Sequence, residues 1–326
     1  IYGKGRDRDS LFIGDKSPVG SNIFARKGNT GEIFLTNYYL AEQMEKDLLY
    51  YRNKKVLEFD KRDVSRIVFT FPKKTYELRK LTYNEWKIEK PIKTRADLTS
   101  VNKLLSKFSA AEVQKFIDEK PKSLRKYGLD KPLVRLSMYI EKDASERSLI
   151  IGSRVRKKDA ENGKVWYYAK NEVFDPIIAV DSSLVNLATT NLYFIRDKMI
   201  VNFERSKVGE VRIDYGDSVF VCTKDSTKGW FFGEDKKTPA NVDKLDDIMT
   251  SFLAARAKKF IDYDKNKFPN YGLDKPRIEY TFKDLSGKEI EKIRFGKIKG
   301  NRVYVSNSAK KQVYLIDSDY FYDFRV

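Results

Sequence analysis

Histidine is absent from this 326-residue chain, and cysteine occurs once, as Cys222. The first absence removes His-centred triads, imidazole acid–base chemistry and His-ligated metal sites. The second leaves no partner for an intrachain disulfide and no thiolate set for zinc. Any catalysis would have to come from carboxylates, lysines or tyrosines. Cys222 stands in an alternating run, Val219 to Thr223, that reads as a strand. It is expected to be a small packed residue and not a nucleophile. Long apolar runs are missing too. None approaches the ~20 residues of a membrane-spanning helix, and no secretory leader opens the sequence. The first residue is Ile1 and not Met. The expectation is that the chain has been cut, so the lack of an N-terminal anchor in it does not speak against one in the native protein.

What is present suffices for folded cores: 41% of residues are hydrophobic and 13% aromatic, which argues against wholesale disorder. The length calls for at least two core-forming units. Lys and Arg number 65 against 47 Asp and Glu, a formal charge of +18. That balance favours anionic partners such as lipid headgroups, acidic glycans or nucleic acid, and it equally suits a soluble surface.

The strongest signal is internal repetition. Trp86, Thr94, Ala96, Phe108, Phe116–Asp118 and the motif Tyr-Gly-Leu-Asp-Lys-Pro at 127–132 all recur 144 residues later. The copies are Trp230, Thr238, Ala240, Phe252, Phe260–Asp262 and the same hexapeptide at 271–276, without a gap. A partial third copy lies upstream, where Ala25, Arg52 and Phe59 precede Ala169, Arg196 and Phe203 by the same interval. The strand ending Leu-Phe-Ile-Gly at 11–14 resembles Leu-Ile-Ile-Gly at 149–152. Residues 1–62 therefore read as the C-terminal part of a truncated first repeat, 63–206 as a complete repeat and 207–326 as a second, nearly complete one. The start in mid-repeat predicts that an earlier half-unit has been removed. A period this long is too great for a solenoid of small repeats.

Within each repeat the pattern is α+β. Short apolar runs separated by turns, such as Asp63–Phe71, Tyr76–Leu78 and Trp86–Ile88, predict an antiparallel meander, because such links cannot make parallel crossovers. Gly28-Asn29-Thr30-Gly31 reads as a hairpin turn, and helical spacing follows from Tyr39 to Leu49. Leu98, Val101, Leu104, Leu105 and Phe108 form one helical stripe, matched by Val242, Leu245, Ile248, Met249 and Phe252. Thr94 and Thr238 are expected to cap these helices, with Pro239 in the first helical position. Ser182 is expected to cap a further helix. Each repeat should thus be an antiparallel sheet with two packed helices.

This combination resembles the DUF4340 family of bacterial proteins. The resemblance rests on Trp-x-Ile-x-x-Pro, the capped helix, Tyr-Gly-Leu-Asp-x-Pro, the strand ending in Ile-Gly, and Arg196-Asp197-Lys198. The earlier copy departs at one position, with Asn53 between Arg52 and Lys54. The resemblance implies an extracytoplasmic protein on the periplasmic side of the inner membrane. It would be held by an N-terminal anchor and associated with an ABC transporter of the gliding-motility or export type. Its partners would be the transporter permease or associated envelope proteins. It implies no catalytic residues.

The candidate site residues divide in two. Arg154, Arg156, Lys157 and Lys158 form the densest basic cluster and are the candidate contact for a phospholipid or an acidic partner, against the alternative of a solvated loop. The repeat signatures are read as structural: Arg52, Trp86, Tyr127, Gly128, Asp130, Pro132, Arg196, Asp197, Trp230, Tyr271, Gly272, Asp274 and Pro276. In the Tyr-Gly-Leu-Asp turns, Gly would end a helical turn in the left-handed region, Leu would plug the core and Pro would start a strand. Arg196 with Asp197, and Arg52 before them, are expected to form structural ion pairs at the joins, with anion binding as the alternative. Trp86 and Trp230 are expected in the core. The acidic groups Asp243–Asp247 and Asp317–Asp319 lack calcium-loop spacing, and Gly14–Gly20 lacks the Gly-Lys-Ser/Thr ending of a phosphate loop. No catalytic, cofactor or metal site is expected. The expected function is a non-enzymatic accessory or scaffold subunit acting through protein–protein contacts. The alternative is a binding module for an anionic glycan or lipid at the cell envelope. Nucleic acid is not expected, since the lysines are dispersed and no binding motif is present.

Overall fold

The structure is a computed structural model. It describes residues 10–323 apart from 29, 47, 158–159, 161–162, 173–174, 226 and 234. The hairpin turn expected around Asn29 and the basic residue Lys158 therefore fall at least partly outside the described residues.

Three antiparallel sheets follow one another along the chain. The first has three strands in sequential order: β1 (Leu11–Lys16), β2 (Asn22–Lys27) and β3 (Ile33–Asn37). Two short helices follow, α1 (Tyr38–Met44) and α2 (Leu48–Tyr51), where one helical stretch was expected. Asn37 caps α1 by accepting from the Tyr39 N–H at 2.8 Å.

The second sheet has nine strands. A meander of β4 (Val64–Thr70), β5 (Thr75–Thr82), β6 (Glu85–Lys90) and β7 (Thr94–Arg95) leads into helix α3 (Leu98–Ser109). The helix crosses the sheet and delivers β8 (Lys115–Asp118) to the opposite edge. The chain then returns to the centre for β9 (Val134–Ile140), β10 (Ser145–Arg154), β11 (Trp166–Asn171) and β12 (Ile177–Asp181). The spatial order is β7-β6-β5-β4-β9-β10-β11-β12-β8. Helices α4 (Ser182–Ala188) and α5 (Leu192–Ile195) close the unit.

The third sheet repeats this plan. Its members are β13 (Val208–Asp214), β14 (Val219–Asp225), β15 (Gly229–Phe232), β16 (Thr238–Pro239), α6 (Val242–Ala254) and β17 (Lys259–Ile261), followed by α7 (Phe268–Tyr271). Then come β18 (Ile278–Asp284), β19 (Glu289–Lys299), β20 (Arg302–Asn307), β21 (Gln312–Asp317) and α8 (Asp319–Asp323). The strand order matches position for position, with β16 at one edge and β17 at the other.

Strand alternation sends side chains to two faces, and each large sheet covers both. On one face Val101, Leu104, Leu105 and Phe108 of α3 are buried against Ile67, Leu78, Leu136 and Met138. Leu245, Ile248, Met249 and Phe252 of α6 occupy the corresponding place in the third sheet. On the other face a smaller cluster joins Tyr127 and Leu129 to Trp166, Tyr168, Ile177 and Ala179. Trp86 and Trp230 are both buried in the larger cores.

The helix starts differ from the sequence expectation. Asp97, not Thr94, caps α3 by accepting from the Ser100 N–H at 2.7 Å. Asn241, not Thr238, caps α6 through the Lys244 N–H at 3.1 Å. Thr94 and Thr238 instead begin the two-residue edge strands β7 and β16, and Pro239 lies in the second of these. The strand pairing of Ile88 with Thr94 competes with capping and wins, because it satisfies backbone groups the cap would leave open. At α4 the cap is Asp181, which accepts from the Ser183 N–H, and Ser182 is already helical.

Candidate functional site

The two Tyr-Gly-Leu-Asp turns are built alike. Gly128 and Gly272 sit at φ 67° and 66°, each ending a single helical turn in the left-handed region. Leu129 and Leu273 are buried, and Asp130 and Asp274 point to solvent. Pro132 and Pro276 precede β9 and β18. The turn presses on a glycine of the neighbouring strand, in Ile151-Gly152 of β10 and Phe295-Gly296 of β19. A Cβ on Gly152 would lie 2.3 Å from the Tyr127 carbonyl oxygen, and one on Gly296 would lie 2.2 Å from that of Tyr271. Two separate sequence signatures thus have one cause, a backbone approach that only glycine admits. Tyr127 also donates its hydroxyl to Asp118, and the Tyr127 pKa is pushed up by burial and then by that contact.

The basic segment was expected to be a loop, but Arg154 ends β10, paired with Tyr167, and only the residues after it form the loop. Arg154, Arg156 and Lys157 are exposed, while Val155 between them is buried in the smaller core cluster. The loop is held by a Val155 N–H bond to the Trp166 carbonyl at 2.8 Å, which turns its basic residues outward. Lys158 lies outside the described residues.

The signatures around Arg52 and Arg196 make the joins between successive sheets. Residues 52–57 run beside 111–113, with a Val113 N–H bond to Lys54 O at 2.7 Å and an isolated bridge between Lys55 and Glu112. Residues 196–201 run beside 255–257 in the same way, with an Ala257 N–H bond to Lys198 O at 2.8 Å and a bridge between Met199 and Arg256. Asn171 donates to Val56 O at 2.9 Å, and Asn307 donates to Ile200 O at 2.8 Å. The guanidinium of Arg52 lies 3.5 Å above the Phe116 ring, and that of Arg196 lies 3.7 Å above Phe260.

The two joins then diverge. Arg52 pairs with Glu119 through Nη1 and Nη2, the latter at 2.8 Å. That hydrogen bond holds the Glu119 pKa below the usual carboxylate range and raises that of Arg52. The position matching Glu119 in the second copy is Tyr263. Among the described residues Arg196 has no ion pair. It donates to Gln312 at 3.0 Å, and its Nε is buried without a partner. Burial lowers its pKa. The expected Arg196–Asp197 pair does not form, because Asp197 turns onto its own backbone and accepts from the Met199 N–H at 2.9 Å.

Beside Arg196 lies a cavity of about 200 Å³ between β7, the linking segment and β21. Lys93, Arg95 and Lys310 join Arg196 in its wall, with Asp197 the one acid. Lys310 donates to Met199 O at 2.7 Å, and its pKa is lowered by burial. Behind it the buried Glu291 accepts from the Asn202 N–H and from Asn307, and burial raises its pKa. Sequence reasoning missed this cavity, because its residues come from four separated stretches. The one available signal was the change from Glu119 to Tyr263 between otherwise matching copies.

Two antiparallel α+β units, preceded by a third sheet that matches half of such a unit, define a tandem-repeat protein of duplicated sheets. The chain belongs to the family described as a domain of unknown function, DUF4340, which matches residues 3–86, 86–234 and 230–325. No curated protein and no solved structure matches the chain. The family segments meet at Trp86 and near Trp230, inside the second and third sheets and not between them. Among the described residues no helix is long and apolar enough to cross a membrane, and no group of three or more potential ligands gathers for a metal.

Proposed function

We propose that this protein is a non-enzymatic, extracytoplasmic accessory subunit that docks onto the permease of an ABC transporter, or onto an envelope protein bound to it. The observation that supports this reading is the three-stranded sheet. Phe12, Phe24, Ile33 and Leu35 share one face of it, as their cross-strand register requires. Ile33 is 70% and Leu35 51% exposed, whereas their repeat counterparts Ile177 and Ala179 are fully buried beneath the Tyr-Gly-Leu-Asp turn. Among the described residues β1 and β3 each have a single strand neighbour, whereas their counterparts β10 and β12 each have two. Arg26, stacked on Phe12, lies within this face. In the second sheet the matching face is covered by the Tyr-Gly-Leu-Asp turn of the same unit, so this one calls for a cover, which the predicted earlier half-unit or another protein would supply. The net charge of +18 would favour approach to an anionic membrane surface.

The test is co-purification from detergent-solubilised membranes with the anchor intact. Permease subunits should be recovered with the native protein and lost when Ile33 and Leu35 are both replaced by Lys. Failure to recover any transporter subunit with the native protein, or recovery unchanged by the double substitution, would overturn the proposal.

A further inference from the structure

The two joins are internal controls for each other. Both place an arginine flat on a phenylalanine at the same step of the repeat. At the first, a carboxylate from the chain itself neutralises the guanidinium. At the second that carboxylate is gone, and other changes run in the same direction. Pro176 is replaced by Gln312 and Ile178 by Tyr314, so two apolar positions become polar. Lys310 adds a second cation from β21's approach, and Arg95 a third from β7. Arg95 is partly engaged by Glu85 at 3.6 Å, and Asp262 acts on Arg196 through space without pairing. Among the described residues the cavity wall carries four cations against one acid, Asp197, with Glu291 acting on Lys310 from behind it. A partly buried guanidinium with an unpartnered Nε is costly unless an anion completes it. At ~30 Å³ per water, the space holds several waters or one small anion.

We infer that this cavity binds a small oxyanion, a carboxylate or a phosphate group, which supplies beside Arg196 the negative charge that Glu119 supplies beside Arg52. Arg196, Lys310 and Arg95 supply the positive charge of its wall, and Tyr314 lines the same space. The ligand would bridge β7 of one sheet to β21 of the next, so binding would stiffen the join. The inference is independent of transporter docking, because its site is on a different surface from the three-stranded sheet.

The experiment is calorimetric titration of the full chain with inorganic phosphate and, separately, with succinate, each against chloride at matched ionic strength. One saturable site is expected for at least one of the two anions, and which one binds identifies the ligand class. Arg95→Gln, at the exposed rim, should weaken it about tenfold, the scale of one charged hydrogen bond. Tyr263→Glu should abolish it by restoring an internal carboxylate. In the reverse direction, Glu119→Gln should create a second, weaker site beside Arg52. Tyr263 packs on the Phe268 ring, so its substitution could disturb the fold. The exposed Arg95 and Glu119 changes carry the test in that case. Titrations that show no more heat with either oxyanion than with chloride would overturn the inference. So would binding that is indifferent to Arg95→Gln and to Glu119→Gln.

Discussion

Gly14, Gly152 and Gly296 occupy matching places in the three sheets, yet only two of them are constrained. Opposite Gly14 the nearest atom to an added Cβ is the Phe24 carbonyl oxygen at 3.5 Å, an ordinary contact. At Gly152 and Gly296 the obstacle is the backbone of the Tyr-Gly-Leu-Asp turn, well inside contact distance. Gly152→Ala and Gly296→Ala should therefore each cost on the order of 3 kcal/mol, the upper range for overpacking, while Gly14→Ala should be nearly neutral. Urea unfolding of the three single variants checks this. Equal effects at all three positions would mean that the glycines serve strand geometry and not the turn. The sequence made the turn legible, since Gly, Leu and Pro each have a local reason to be there. It did not reveal why Ile-Gly recurs, because that reason lies in a contact 25 residues away along the chain.

Helices α3 and α6 show how local signals can be right in kind and wrong in place. Their apolar stripes were readable except at the first position, where Leu98 is half-buried and Val242 is exposed, because the first helical turn overhangs the sheet. Their starts were misplaced by three residues because Thr is a good cap in isolation and an equally good edge-strand residue. Asp97 and Asn241 are the groups that satisfy the first free N–H donors. Asp97→Ala and Asn241→Ala should each lower stability by about 1 kcal/mol, and Thr94→Ala and Thr238→Ala by less. Thermal denaturation of the four variants measures the order directly. A larger loss at the threonines would return the caps to them. The strand order was less legible still. Each helix carries its following strand to the far edge of the sheet, and no local pattern encodes which edge a short strand such as Lys115–Asp118 will join.

At the scale of the molecule, two large cores stand apart. Ile195 belongs to the first and Ile200 to the second, so the change of allegiance takes place within the linking segment. Phe108 and Phe252 are the matching central side chains, both fully buried. Replacing either by Ala should cost about 3–5 kcal/mol. Hydrogen exchange should quicken in residues 64–181 for Phe108→Ala and in 208–317 for Phe252→Ala, with the other sheet little changed. Equal quickening in both sheets would show that the joins transmit stability and that the units open as one. The repeat count and the α+β plan were legible because duplication preserves landmarks at a fixed interval. The cavity at the second join was not, since it depends on positions where the copies differ.

That difference has a consequence for how such a chain can diversify. The landmarks that build each sheet, Trp, Tyr-Gly-Leu-Asp-Lys-Pro and the glycine at 152 and 296, are the same in both copies. The residues that separate a neutral seam from a charged one, Glu119 or Tyr263 and Ile178 or Tyr314, lie outside that set. Selection can therefore rewrite the chemistry of one seam without disturbing either sheet beside it. Each added copy brings one more seam that can be specialised on its own.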